Sequence, residues 1–186
     1  RGSGDIELGL LEMVTLQQVE ALKSGRIDIG FGRIHIDDAA VVQTVISEDP
    51  LVAALPAGHP LLGAPVSLEQ LALEPFVLYP GNVRPSYADH VLGLFARHNL
   101  KIRVAQMTNE MQTAIGLVAA GIGITVVPAS VQRLHRHDIG YAPLLDPTAT
   151  SPIIVSHRVG DESAILQLCL KLIRDSLVMA PATLVD

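Results

Sequence analysis

The chain has 186 residues, of which 49% are hydrophobic, and a formal net charge of -6. That length accommodates one large domain or two small ones sharing a cleft, and that apolar content argues against disorder. The acidic balance lacks any lysine- or arginine-rich run, so a direct grip on nucleic acid is not expected, and the single cysteine, Cys169, excludes an internal disulfide. Cys169 falls in an apolar helical pattern and reads as a small core residue in a reducing compartment. No apolar stretch is long and uninterrupted enough for a membrane span, and no secretory signal opens the chain. Arg1-Gly2-Ser3-Gly4 reads as a loop or a cloning scar.

In chain order, Ile6, Leu8 and Leu10 alternate with polar or small residues and predict a strand. Thr15 precedes a helix from Leu16 to about Ser24, which Gly25 stops. Ile27 to Gly32 predicts a strand, and Val41–Ile46 and Leu51–Leu55 predict two more. Pro56, Gly58, Pro60, Gly63 and Pro65 punctuate a loop, read as a crossing between domains. Leu68–Leu73 follows as a short helix, Phe76–Tyr79 as a strand, Ser86–His98 as a helix and Arg103–Met107 as a strand. Glu110–Ala120 predicts a helix ended by Gly121, then Ile122–Val127 a strand closed by Pro128. A short helix near Ala129–Leu134 and a strand near Ile139–Pro143 come next. The turn-rich link Asp146–Pro152 leads to the strand Ile153–Ser156, and a long helix runs from about Ser163 to Val178.

Strands alternating with helices of these lengths predict an α/β fold with largely parallel sheets. Two proline-rich crossings divide it into two lobes, residues 1–55 plus 152–186 and residues 56–151. In such folds ligands bind at strand carboxyl ends, near helix N-termini. Arg84-Pro85-Ser86-Tyr87-Ala88-Asp89-His90 lies between an apolar strand and an amphipathic helix. A helix start presents unpaired N–H groups and the positive end of the dipole, a seat for a carboxylate or phosphate. The plainer reading makes Ser86 an ordinary cap. Thr15 occupies a comparable place in the other lobe, and two such sites facing across a cleft suit a dianion.

Other signals carry little. Gly121-Ile122-Gly123 lies between a helix and a strand, the reverse of a dinucleotide loop, and lacks the third glycine. His135-Arg136-His137 has the wrong spacing for one helix face, and no Cys or carboxylate completes a metal set. There is no Gly-x-Ser-x-Gly elbow and no phosphate-binding Gly-Lys loop. Asp28 and Glu110 have plain structural explanations, so neither an enzyme nor a cofactor is expected.

Glu20-Ala21-Leu22-Lys23-Ser24-Gly25-Arg26-Ile27-Asp28-Ile29-Gly30-Phe31 resembles a helix-turn-strand signature of the effector-binding domain of LysR-type transcriptional regulators. Asp49-Pro50-Leu51-Val52-Ala53-Ala54-Leu55, followed by Gly58-His59-Pro60-Leu61, is similar to that family's crossing between subdomains. Gly116–Ile124 with Val127-Pro128-Ala129-Ser130 is similar to its late motif. The resemblance covers essentially the whole chain. It implies two Rossmann-like lobes of the periplasmic-binding-protein kind with an effector cleft between them.

Tyr79-Pro80, Arg84–Asp89 and Leu144-Leu145-Asp146-Pro147 resemble the regulators of catechol, chlorocatechol and benzoate breakdown, which respond to cis,cis-muconate or its chlorinated relatives. That resemblance implies effector contacts at Thr15, Pro85, Ser86 and Tyr87, with Met111 in the apolar part of the pocket. Arg33 and Glu110 match two positions of a second, benzoate site. Ser47, Asn109 and Ile154 depart from it, and Arg33 reads more plainly as a strand-end surface charge.

The family domain opens with a further strand and helix, which nothing here matches, and a winged helix-turn-helix precedes it. Operator DNA would be bound only through that N-terminal domain. The resemblance further implies a cytoplasmic activator, paired as a dimer through the Val19–Ser24 and Ser86–His98 helices and tetrameric at full length. The alternative is an extracytoplasmic solute-binding protein for a small organic anion.

Overall fold

The computed structural model describes residues 8–179, with side chains to 176. The elements are α1 (Thr15–Lys23), β1 (Gly30–Gly32), β2 (Val41–Pro56), α2 (Leu68–Ala72), β3 (Pro75–Leu78), α3 (Tyr87–Arg97) and β4 (Arg103–Met107). They continue with α4 (Met111–Ala119), β5 (Thr125–Pro128), a 3₁₀ segment (Ala129–Leu134), β6 (Ile139–Pro143), β7 (Thr150–Arg158) and α5 (Ala164–Met179). The expected loop Arg1–Gly4 and Ile6 of the first expected strand lie outside the described residues.

The strands expected over Val41–Ile46 and Leu51–Leu55 are a single strand. β2 pairs antiparallel with β7 from Val41↔Arg158 to Pro50↔Thr150, with a register irregularity between Val45 and Ser47. It then pairs antiparallel with β5 from Leu51↔Pro128 and with β6 from Val52↔Pro143. The change of partner falls at Pro50–Leu51, inside the strand, so one strand serves both sheets. The polar run Ser47–Pro50 breaks the apolar pattern without breaking the strand. The register shift leaves Ile46 as one extra residue on β2 within the β7 pairing, as in a β-bulge. The proline-rich loop 56–65 that follows β2 is held by local turns. His59 N donates to Pro56 O, Leu62 N to His59 O, and Val66 N returns to Pro143 O at 2.8 Å.

Sheet pairing is mostly antiparallel, contrary to the largely parallel expectation, because β2 and β7 run against the strands they join. Parallel pairing links β3 to β4, Phe76 to Ile124 and Val66 to Leu144. Ile124 N donates to Pro75 O at 2.7 Å, and Val77 N to Ile124 O at 2.8 Å. Gly123 makes this approach possible: a Cβ there would collide with the Pro75 carbonyl oxygen.

One large apolar cluster runs from Leu51 to Ala149 and includes Phe76, Leu78, Phe95, Ile115 and Ile124. Phe76 and Phe95 meet edge to face at 5.2 Å. α3 buries Val91, Leu94 and Phe95, the spacing of one helix face. A second, smaller cluster joins Val19, Leu22 and Val41 with Ile27 and Ile36. The expected strand through Leu8 and Leu10 does not form; these side chains are 77% and 86% exposed. Alternation produces a strand only where a neighbouring strand takes up its backbone hydrogen bonds, and among the described residues no strand pairs with residues 8–14. α5 buries Leu166 and leaves Ile165, Leu168 and Leu172 exposed.

Candidate functional site

α3 begins as its sequence dictates. Ser86 has extended backbone, φ -149° and ψ 176°, and is the N-cap. Its backbone N–H donates to Asp89 Oδ2 at 2.8 Å, and its hydroxyl lies 3.3 Å from Pro80 O and 3.4 Å from Asp89 Oδ2. Arg84 pairs with the other oxygen of Asp89. The Tyr79–Pro80 and Arg84–Pro85 peptides that precede Ser86 are cis. Asp89 therefore already supplies negative charge to this helix start.

α1 begins differently. Its N-cap is Val14 rather than Thr15, and no side chain caps it. Thr15 is the first helical residue, and its hydroxyl lies against β1. A Cβ at Gly32 would sit 2.8 Å from Thr15 Oγ1. Among the described residues no side chain caps the first turn of α1, whereas at the start of α3 Asp89 accepts from the Ser86 N–H.

Next to Gly32 stands Arg33. It is not a free surface charge. Its Nη2 donates to Asp49 Oδ2 at 2.9 Å, and the Asp49 side chain is only 10% exposed. Ser130 completes the cluster, donating its hydroxyl to Asp49 Oδ2 at 2.6 Å and its backbone N–H to Oδ1 at 3.3 Å. Asp49 lies in the β7-paired half of β2, just before the change of partner, so it ties the end of β1 to the 3₁₀ segment after β5.

This cluster borders a cavity of about 390 Å³ lined by Arg33, Tyr79, Tyr87, Met111, Pro128, Ser130, Val131 and Leu134. Among the described residues lining it, Arg33 is the one that is charged. Tyr79 and Tyr87 stack with ring centroids 5.3 Å apart. Burial pushes both phenols well above their ordinary pKa, against a smaller opposing effect of Arg33. Both stay neutral donors. The Tyr87 hydroxyl donates to Val126 O at 3.3 Å. The cavity is therefore aromatic and apolar along its walls, cationic at one point and supplied with hydroxyls.

Of the seven candidate residues, Arg33, Tyr87 and Met111 line this cavity. Pro85 and Ser86 adjoin Tyr87, Glu110 adjoins Met111, and Thr15 lies against Gly32 beside Arg33, none of the four in the lining itself. Sequence reasoning missed roles for Tyr79, Asp49 and Ser130. All three stood in stretches noted for their resemblance, but nothing in the sequence shows that residues 33, 49 and 130 meet. Among the described residues, no group of three or more His, Cys, Asp or Glu stands where it could hold a metal ion.

A two-lobed α/β frame with an apolar, singly cationic cavity beside the strands that join its sheets defines a class of small-molecule-binding domain. Residues 3–178 match the LysR substrate binding domain, and the chain belongs to that family. It is 65% identical over 173 residues to the HTH-type transcriptional regulator CatR of Pseudomonas putida, covering 93% of this chain and 60% of that protein. It is 41% identical over 182 residues to a probable cat1 operon transcriptional activator of Acinetobacter lwoffii, covering 97% of this chain and 60% of that protein. The solved BenM effector binding domain with its effector benzoate superposes with a TM-score of 0.82 at 38% identity, covering 95% of this chain and 82% of that one. The chain thus spans about 60% of the length of these two curated relatives. Among the described residues no helix is long and apolar enough to cross a membrane.

Proposed function

We propose that this chain is the effector-binding domain of a LysR-type regulator of aromatic-compound catabolism, and that its effector is a small dicarboxylate such as cis,cis-muconate. The observation that carries the reading is the cavity where Arg33 meets Tyr79, Tyr87 and Met111. A flat conjugated diacid fits that chemistry. Its carbon chain suits aromatic and thioether walls, and one carboxylate suits the guanidinium. The uncapped start of α1 at Thr15 offers N–H donors and the positive dipole end to the other. Tyr87 supplies part of the wall, and Pro85 and Ser86 precede it in the chain outside the lining. Glu110 borders it at Met111.

On this reading the lobes are residues 1–55 with 152–186, and residues 56–151, and β2 belongs to both. The effector shifts the population of lobe or subunit arrangements, by no more than its differential affinity for the two states. The intact regulator acts in the cytoplasm as an activator, reaches operator DNA through a helix-turn-helix outside this sequence, and needs no cofactor or catalysis here. Self-association uses the outer side of α1, where Leu16, Gln17, Glu20 and Ser24 are exposed, together with the α3 side of a second copy.

Calorimetry with cis,cis-muconate, its monomethyl ester and benzoate tests the reading. The diacid is expected to bind with a Kd on the order of micromolar, roughly −8 kcal/mol. Both monoanions should bind more weakly. Equal affinity for all three overturns the dicarboxylate assignment.

A further inference from the structure

Thr150, the first residue of β7, has a carbonyl that the sheet leaves without a donor. Leu51 N donates to Ala149 O, so the next pair, Pro50 and Thr150, is a non-hydrogen-bonded one and the Thr150 carbonyl points away from β2. On the other side of β7, β1 pairs only with Ile154 to Ser156. The donor comes from elsewhere: His90 Nε2 lies 2.8 Å from Thr150 O, sixty residues away in sequence. A carbonyl accepts only, so the imidazole holds its proton on Nε2 there. The hydroxyl of Thr150 meanwhile donates to Glu48 Oε2 at 2.8 Å, and Leu51 N donates to Ala149 O at 2.9 Å. His90 is thereby fastened to the place where β2 changes partners.

The other side of the ring faces the cavity wall. His90 stacks on Tyr87 with centroids 5.9 Å apart and an interplanar angle of 28°, and Tyr87 stacks in turn on Tyr79. Both tyrosines line the cavity, and His90 does not. Three rings thus run from the cavity to the junction of the lobes, ending in one hydrogen bond to an otherwise unsupplied carbonyl.

We propose that His90 is a positioning residue that couples occupation of the cavity to the strands joining the two lobes. An occupant that presses on or orders the Tyr79–Tyr87 pair moves or steadies the imidazole, and with it the start of β7. The coupling rests on the sensing reading above; the hydrogen bond itself does not. His90 touches no effector, so its removal should spare affinity and remove the response.

The test uses the intact protein and its His90→Phe and His90→Gln variants. Phe keeps a ring against Tyr87 and loses the donor; Gln keeps a donor and loses the ring. Amide hydrogen exchange at Leu51 and Ser151 is followed with and without cis,cis-muconate, beside thermal melts and calorimetry. Without ligand, His90→Phe should speed exchange at those amides at least tenfold, leave amides around Phe95 unchanged, and be partly rescued in His90→Gln. With muconate, the wild type should gain protection there. His90→Phe should bind the diacid within about threefold of wild type yet gain none. Full ligand-linked protection in His90→Phe overturns the coupling, and so does unchanged exchange without ligand. A wild type that binds no muconate overturns the dicarboxylate reading and the coupling built on it, while the ligand-free arm still decides whether His90 holds the junction.

Discussion

Arg33 and Asp49 form an ion pair at 2.9 Å on the rim of the cavity, and Asp49 is the more deeply buried partner. Asp49 also takes the Ser130 hydroxyl at 2.6 Å, so the carboxylate stays supplied even if Arg33 turns away. The Arg33 side chain is 28% exposed and can meet a second carboxylate. The pair therefore both tempers the positive charge of the cavity and keeps it available.

Substitutions on the two sides of this pair should have opposite signs. Arg33→Met removes the cation and should weaken muconate binding by about 1.5–3 kcal/mol, the range for hydrogen bonds to charged groups. Asp49→Asn keeps the shape and an acceptor for Ser130 while freeing the guanidinium, and should tighten binding several-fold. Calorimetry on both variants decides it. A loss in both would show that the pair organises the fold rather than the ligand.

Thr15 and Ser86 invite a paired comparison because the structure gives them different environments. Ser86 is the N-cap residue of α3 and is tied to Asp89 through its backbone N–H, whereas Thr15 is the first helical residue of α1 rather than its cap. Ser86→Ala should lower stability by about 0.5–2 kcal/mol, the usual loss for a cap. Thr15→Val should leave the melting temperature nearly unchanged and weaken effector binding by about 1.5–3 kcal/mol. Thermal melts and titrations on the same two proteins check this. An unchanged Kd in Thr15→Val would remove Thr15 from the site.

The legible parts of the fold were those in which local pattern and tertiary environment agree. α3, β4 and β6 fall within a residue of expectation because each has its own apolar face or breaker residues. β2 was read as two strands because Ser47–Pro50 looks like a turn. Only the partners on either side show that it is one strand, and partners are not a local property. The helix starts at Thr15 and Ser86 were legible from composition, but the state of each cap was not. The Arg33–Asp49–Ser130 cluster joins residues up to 97 apart in sequence (130 less 33), so no spacing announces it. Arg33 alone looked like surface charge for that reason.

Acid should loosen the link between β6 and β7. Asp146 accepts from the Thr148 hydroxyl at 2.7 Å and the Thr148 N–H at 2.8 Å, and lies 3.1 Å from His98 Nε2. These bonds, those of Thr148 foremost, hold its pKa below the ordinary 3.8. A carboxyl depressed in the folded state contributes its stability above the unfolded pKa and loses it as pH falls through the folded one. The melting temperature should therefore drop below about pH 4, and Asp146→Asn should lower it at neutral pH and flatten part of that drop, the two proteins converging in acid. His98 is 41% exposed, so its share should stay under about 1 kcal/mol. A pH profile of Asp146→Asn parallel to the wild type would remove Asp146 from the acid response.

Gly32 offers the sharpest probe of the Thr15 wall. A methyl group there would sit 2.8 Å from Thr15 Oγ1, closer than real contacts allow, and 3.2 Å from Thr15 Cγ2, a tight contact. The threonine has one χ angle and its backbone is fixed in the first turn of α1, so it yields only by rotating its hydroxyl away or shifting the helix. Gly32→Ala should cost about 1–3 kcal/mol of stability, the range for overpacking a filled site. If the hydroxyl holds the effector, the same change should also weaken muconate binding. Thr15→Ser removes the Cγ2 clash and keeps the oxygen, so Gly32→Ala with Thr15→Ser should recover part of both losses. The cycle of single and double variants measures the coupling directly, and residues in contact commonly show about 0.5–3 kcal/mol. Additive losses in stability and affinity would mean that β1 and α1 do not meet through Thr15, and that the seat for a carboxylate lies elsewhere along the cavity.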